Sequence, residues 1–219
     1  MSWNEEQYRY YGNAGTSMGD TNFLKKFGKS NTQAGKMGEV ILFHKLREPH
    51  GWLKSDMPLF CSLIPDKKYK SDIDFAVVMG NKVLLIDAKM YKSGGFYWNI
   101  GNTVYRNFRP YKTEKYDKKA RKRVSSPVKM SKSMDMARDR IQRLLGDNYI
   151  VESCVILVSN PSSKQSLSTT WFMRYPGNIK VFNEFSGKKF IKKFFKNQEY
   201  IKSTALAAVS YTHLRAHET

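Results

Sequence analysis

Apolar positions in this chain switch between helical and strand-like spacing, and the switches mark its elements. Asn31-Thr32 is placed to cap a helix running to about Leu46, with Ala34, Met37, Val40, Ile41 and Leu46 on its apolar side. Pro49-His50-Gly51 ends that helix. Trp52–Ile64 reads as a strand region interrupted by Pro58, and Pro65-Asp-Lys-Lys as a turn. Two apolar runs follow, Phe75–Met79 and Val83–Ile86, on either side of Gly80-Asn81, a dipeptide suited to a two-residue hairpin turn. Both runs are apolar on both faces, as strands in the middle of a sheet are.

Gly94-Gly95 breaks the chain after this hairpin, and Phe96–Val104 resumes as a strand. From Pro127 onward, Met130, Met134, Ala137, Ile141, Leu144 and Leu145 recur at helical spacing until Gly146. Ile150–Val158 reads as a buried strand, followed by a loop through Asn160–Ser168 and strands near Trp171–Arg174 and Ile179–Phe182. A basic helix closes the pattern, with Phe190, Ile191, Phe194 and Phe195 on one side; Trp98 and these phenylalanines read as core. The order α-β-β-β-α-β-β-α predicts an α/β fold, a mixed β-sheet core flanked by α-helices.

Residues 1–30 have no sustained period and read as a flexible N-terminal arm. Residues 31–200 form the domain, with a basic insertion at 105–126, and 201–208 is a truncated remainder. The final stretch, Val209–Thr219, reads as a translated sequencing adapter rather than native chain.

Composition narrows the partners. Lys and Arg number 38 against 19 Asp and Glu, a formal charge of +19 and a pI near 9.8. A chain this basic most often meets nucleic acid, and an anionic lipid surface is the less common alternative. No run of 18 apolar residues or apolar leader is present, which points to the cytoplasm and away from a membrane. Cys61 and Cys154 lie in apolar stretches without metal-ligand spacing, as reduced core residues do. Neither His44 nor His50 has a partner at ligand spacing.

Closing the Gly80-Asn81 turn pairs Met79 with Lys82, Val78 with Val83, Ala76 with Leu85 and Asp74 with Asp87. Opposed like charges are destabilising, so two carboxylates at the end of a buried hairpin call for a cation between them. Lys89 shares a face with Asp87, and Asp72 has the parity of Asp74. Mg²⁺ accepts a few carboxylate oxygens, keeps several waters and leaves room for a phosphate. It activates a bound water and offsets charge at a scissile phosphate, while Lys89 orients that water or helps to deprotonate it. The Ala88 carbonyl is a further candidate ligand. The alternative is a structural ion-pair cluster involving Lys70, Lys82 or Lys89.

Three motifs carry a resemblance. Gly35-Lys-Met-Gly-Glu39, Ser71-Asp-Ile-Asp-Phe-Ala-Val-Val78 and Val83-Leu-Leu-Ile-Asp-Ala-Lys89 resemble the successive motifs of the nuclease-related domain family, over about residues 31–160. That family belongs to the PD-(D/E)XK, restriction-endonuclease-like superfamily. The resemblance implies a restriction-endonuclease-like mixed sheet and a metal-dependent nuclease. Its catalytic residues would be Glu39, Asp74, Asp87 and Lys89, with Asp74, Asp87 and Glu39 at the Mg²⁺ (or Mn²⁺). Gly38 permits close packing of the first helix, which would bring Glu39 inward. Ser126-Pro127-Val-Lys-Met130 resembles the family's Asn-Pro-x-x-Gln motif, but with Ser for Asn and Met130 for Gln; Lys129 or Lys132 is the nearest polar replacement.

Residues 105–132 carry eleven Lys or Arg against Glu114 and Asp117, with Tyr105, Phe108, Tyr111 and Tyr116 interleaved. The basic candidates for nucleic-acid contact are Arg106, Arg109, Lys112, Lys118, Lys119, Arg121, Lys122, Arg123, Lys129 and Lys132, with the aromatics available for stacking on bases. The expected partner is DNA more than RNA. Two rival readings are a nuclease fold that binds nucleic acid with little or no turnover, and a basic protein held at anionic lipid.

Overall fold

The computed structural model describes residues 10–11, 14, 29–47, 51–63, 73–92, 94–117, 120–160, 170 and 172–198. The N-terminal arm lies mostly outside them. Asp72, Lys118, Lys119, the Pro65 turn, His50 and everything past residue 198, the adapter-like tail included, also lie outside them.

A seven-stranded mixed sheet organises the molecule. Its strands are β1 (Tyr10–Tyr11), β2 (Leu59–Leu63), β3 (Ile73–Met79), β4 (Lys82–Lys89), β10 (Ile150–Leu157), β11 (Arg174–Tyr175) and β12 (Ile179–Asn183). Across the sheet the order is β1-β2-β3-β4-β10-β12-β11. β2, β3 and β4 run antiparallel in turn, whereas β4, β10 and β12 are parallel neighbours. The parallel step from β4 to β10 requires a crossover, and helix α2 (Ser133–Leu145) lies within it. Helix α1 (Lys29–Arg47) precedes β2, and α3 (Glu184–Phe194) follows β12. The α/β class expected from the apolar pattern is the class observed.

Every residue of β3, and all of β4 except its two end lysines, is buried, as a strand covered on both faces must be. One face meets α2 through Ala76, Val78, Val83, Leu85 and Val155 against Met134, Ala137 and Ile141. The other meets α1 and α3 through Val77, Met79, Leu84, Ile86 and Ile156 against Leu42, Leu46, Ile191 and Phe195. Buried Arg47 donates to the Lys54 and Met57 carbonyls, so the end of α1 holds the loop that leads into β2.

Five local expectations are corrected. Helix α1 starts at Lys29 rather than after an Asn31-Thr32 cap. Phe96–Val104 is not one strand: β5 (Tyr97–Ile100) and β6 (Thr103–Arg106) form a hairpin through Gly101, whose φ is 52°. With β7 (Arg109–Pro110) they make a three-stranded sheet, while β8 (Lys112–Asp117) pairs with β9 (Lys122–Pro127) as a separate hairpin. The helix expected from Pro127 begins only at Ser133. The Val128 and Met130 N–H groups donate to the Tyr111 and Asn102 carbonyls, so this stretch is committed to neighbouring strands. Finally, the strand near Trp171–Arg174 is the short pair Arg174–Tyr175, and Trp98 is half-buried on the β5 hairpin, its ring 4.7 Å from that of Tyr105, rather than in the core.

Candidate active site

The β3–β4 ladder begins at Met79↔Lys82 and ends at Phe75↔Ile86, in the register expected from the Gly80-Asn81 turn. The next step in that register is Asp74 with Asp87. There the two strands no longer share a ladder bond, and Asp74 Oδ2 accepts the Ala88 N–H at 2.7 Å. Opposite, between the pairs Cys61↔Phe75 and Leu63↔Ile73, Ser62 adopts a φ of 53°. The alternation of faces breaks with it: Leu63 and Ile73 join the α2-side core, whereas Cys61 and Phe75 belong to the α1 side. A left-handed residue outside glycine is uncommon and strained, and such strain gathers at functional positions.

Asp74 and Asp87 are 7% and 8% exposed. Burial, and then the Asp87 charge, raise the Asp74 carboxyl well above the ordinary range, with Glu39 adding to the rise. Lys89 and the Ala88 N–H oppose it. Lys89 Nζ sits 2.7 Å from Asp87 Oδ1 and 3.4 Å from the Ala88 carbonyl. Burial would drive Lys89 toward neutrality, but Asp87 and Asp74 outweigh it and raise its pKa. Beside these two carboxylates Lys89 is therefore held as an ammonium.

Glu39 arrives from α1 and is 2% exposed. A side chain at Gly38 would place its Cβ 3.2 Å from Met90 Cβ, so glycine lets the helix approach the end of β4, as anticipated. Glu39 is close enough to act electrostatically on Asp74 and Cys61. Among the described residues, no three His, Cys, Asp or Glu side chains converge as a metal-holding cluster. Asp74 and Asp87 are the carboxylates that could hold a divalent cation, since Mg²⁺ needs only one or two carboxylates when it keeps most of its waters. Lys82 belongs elsewhere: its Nζ donates to the Phe194 carbonyl at the end of α3.

Two tyrosines were not singled out in the sequence. Tyr91 and Tyr175 share a hydrogen bond of 2.9 Å between hydroxyls. Burial and their mutual contact raise the Tyr91 hydroxyl, which also feels Lys89 and Asp87. Burial, and then Asp87, raise Tyr175. Tyr91 follows Lys89 by two residues and could have been found from that spacing; Tyr175 comes from β11, across the sheet, where no sequence signal marks it.

Of the basic candidates, Arg109, Lys112, Arg121, Lys122, Arg123, Lys129 and Lys132 are exposed. Arg106 is half-buried and its guanidinium clasps the Gly94 carbonyl. Lys129 donates to Thr103 Oγ1 at 2.9 Å. Met130 is buried among Met134 and its neighbours on the α2 side.

A family model for the nuclease-related domain matches residues 34–158. The chain belongs to the nuclease-related domain family. The match takes in most of α1 with Glu39, the β3–β4 hairpin with Asp74, Asp87 and Lys89, the basic hairpins, α2 and all of β10. No match was found among curated proteins or among solved structures. The family's nuclease-related character is consistent with the restriction-endonuclease-like sheet described above.

Proposed function

We propose that this nuclease-related protein is a Mg²⁺-dependent nuclease that hydrolyses phosphodiester bonds of nucleic acid, DNA rather than RNA. The observation that carries the reading is the buried pair Asp74 and Asp87 with the Lys89 ammonium 2.7 Å from Asp87. Buried like charges are costly without a cation, and this pair lies where the β3–β4 ladder opens. Asp74 and Asp87 would hold the divalent cation, with Mn²⁺ as an alternative to Mg²⁺. When bound, such an ion supplies Lewis acidity toward a phosphoryl oxygen and lowers the pKa of water.

The chain's own residues supply the rest. The Ala88 N–H fixes one oxygen of Asp74, and the other would be available to a cation. Lys89, held as an ammonium, donates to the attacking water or to a non-bridging phosphate oxygen as charge develops there. Glu39 supports the site from α1. Exposed Arg109, Lys112, Arg121, Lys122, Arg123, Lys129 and Lys132 would neutralise backbone phosphates, with Lys118 and Lys119 in the same segment.

A second reading is a nuclease fold that binds nucleic acid without turnover. Buried Met130 favours it, because the family pattern has a polar Gln at that position. The two separate in a cleavage assay over duplex, single-stranded and RNA substrates, with Mg²⁺ and with a chelator. Metal-dependent cleavage that disappears in Asp87→Ala and Lys89→Ala supports the nuclease. Salt-sensitive binding with no cleavage of any substrate supports the binding module. No helix among the described residues is long and apolar enough to cross a membrane.

A further inference from the structure

The turn between β6 and β7 is built at a cost. Arg106 pairs with Arg109, enclosing Asn107 and Phe108 at φ values of 47° and 67°. Two successive residues of positive φ define a type I′ turn, whose second position favours glycine. Phenylalanine there costs about 1–2 kcal/mol of backbone strain. The ring gains no burial in exchange, being 81% exposed.

Phe108 is the tip of an aromatic face. Directly opposed residues share a face of the sheet, so the pairing Trp98↔Tyr105 places Phe96, Trp98, Ile100 and Tyr105 together. Phe96 and Trp98 lie 6.4 Å and 6.3 Å from Phe108 between ring centroids. Trp98 and Tyr105 are tilted by 31° at 4.7 Å, and Ile100 is 59% exposed. The other face is occupied: Tyr97 and Val104 are buried in the α2-side core, and Asn99 Oδ1 accepts from Arg174 N. The aromatic face therefore points outward.

We propose that this outer face of β5–β7 is a stacking platform for unpaired bases, so that the substrate class is nucleic acid with a single-stranded stretch. The proposal deepens the nuclease reading and rests on it for the class of partner. Charge complementarity favours an anionic polymer: Arg109 is exposed beside Phe108, and the surrounding residues 105–132 carry eleven Lys or Arg against two acids. Flat rings offered outward fit bases whose faces are free, whereas a duplex hides those faces in its own stack. Continuity with the site favours the same partner. Tyr91, two residues beyond Lys89, lies 5.4 Å from Tyr97 and 5.1 Å from Tyr111, so the inner face of the same small sheet packs on the tyrosines beside the carboxylate pair.

The test measures binding of a short fluorescent oligodeoxynucleotide, its RNA equivalent and the matching duplex to the full chain in chelator, where cleavage cannot interfere. Single strands should bind more tightly than duplex. Phe108→Gly, which relieves the positive-φ strain, should match or exceed the parent in Tm yet lose single-strand affinity on the order of 5- to 100-fold, the scale of one stacked base. Phe108→Trp should retain the affinity, and Trp98→Ala should reduce it. Unchanged single-strand affinity in Phe108→Gly would overturn the proposal. So would an equal loss for duplex, or a self-associated state that Phe108→Gly dissolves, which would assign the face to a second copy. Asp87→Ala should keep the full preference for single strands. If that variant cleaves like the parent, the nuclease assignment fails while the platform still stands or falls on binding alone.

Discussion

Asp74 receives the backbone N–H of Ala88, the residue between Asp87 and Lys89. One bond thus locks the carboxylate of one strand to the Asp-x-Lys segment of the next, at the point where the ladder between them ends. Because burial and Asp87 raise the Asp74 carboxyl, the fold favours its protonated form. Such a group contributes stability that is fully present below the ordinary carboxyl range and is lost as pH rises through its folded value. At neutral pH without a cation, Asp74→Asn should therefore leave Tm equal or higher, since the amide keeps an acceptor for Ala88 and removes a like charge. Mg²⁺ should raise the Tm of the parent, by the equivalent of about 2.7 kcal/mol at a hundredfold excess over its dissociation constant, and leave Asp74→Asn unmoved. Thermal melts with and without Mg²⁺ check both halves; a Mg²⁺ shift retained in Asp74→Asn removes Asp74 from the metal.

Gly38 couples a helix position to the site. Replacing a mid-helix glycine by alanine gains up to about 1 kcal/mol of helix propensity. Here the added methyl meets Met90 Cβ at 3.2 Å, an atom fixed to the backbone of the strand end, and overpacking costs typically ~1–3 kcal/mol. The clash should win or nearly cancel, so Gly38→Ala should lower Tm slightly or not at all. Its effect on cleavage should be larger, because α1 must move away and take Glu39 with it. Glu39→Gln, which keeps the helix seated, should lower activity without lowering Tm. A Gly38→Ala enzyme of full activity would show that Glu39 needs no such close approach.

The pairs beside the Gly80-Asn81 turn were legible from local sequence. Two apolar runs joined by a two-residue turn fix register, and register brings Asp74 and Asp87 together with Lys89 beside them. Glu39 needed the family motif, since a carboxylate in a first helix ordinarily faces water. What could not be read was set by long-range pairing. The basic insertion at 105–126 showed only its charge, because strands β8 and β9 alternate polar with polar and no apolar period reveals them. Tyr175 reaches the site only through the order of β11 in the sheet. Pro127–Lys132 carried helical spacing, but Val128 accepts from Val104 of β6 and Lys129 bridges Thr103 there, and tertiary pairing overrode the local pattern.

The two thiols should be inert in the native protein. Cys61 and Cys154 are fully buried. Burial, partly offset by Arg47, pushes Cys61 up from 9.0 to about 12, and burial with the Asp87 charge raises Cys154 further. Thiolate is the reactive form, so alkylation at neutral pH should label neither cysteine until the chain unfolds, as mass spectrometry would show. The sign for stability follows from linkage: above pH 9 the unfolded thiol ionises while the folded one does not. Stability should decline between pH 9 and about 12, and Cys61→Ala should flatten part of that decline at the cost of a small cavity. Rapid labelling of both thiols in the folded protein at neutral pH would contradict their placement.

Arg121, Lys122 and Arg123 stand exposed around the β8–β9 turn and offer contacts to phosphates rather than to base edges. If each neutralises one phosphate, binding to duplex DNA should weaken with salt, and each contact should contribute about 0.9 to the slope of log affinity against log salt. Replacing all three by glutamine should therefore flatten the slope by roughly 2–3 and weaken binding at low salt for every sequence alike. The stacking contribution of Phe108 is not electrostatic, so Phe108→Gly should shift single-strand affinity while leaving the slope nearly intact. Affinity measured by anisotropy across a salt series separates the two. An unchanged slope in the triple glutamine variant would place the phosphate-binding surface elsewhere, with the lysines of α3 as the next group to neutralise.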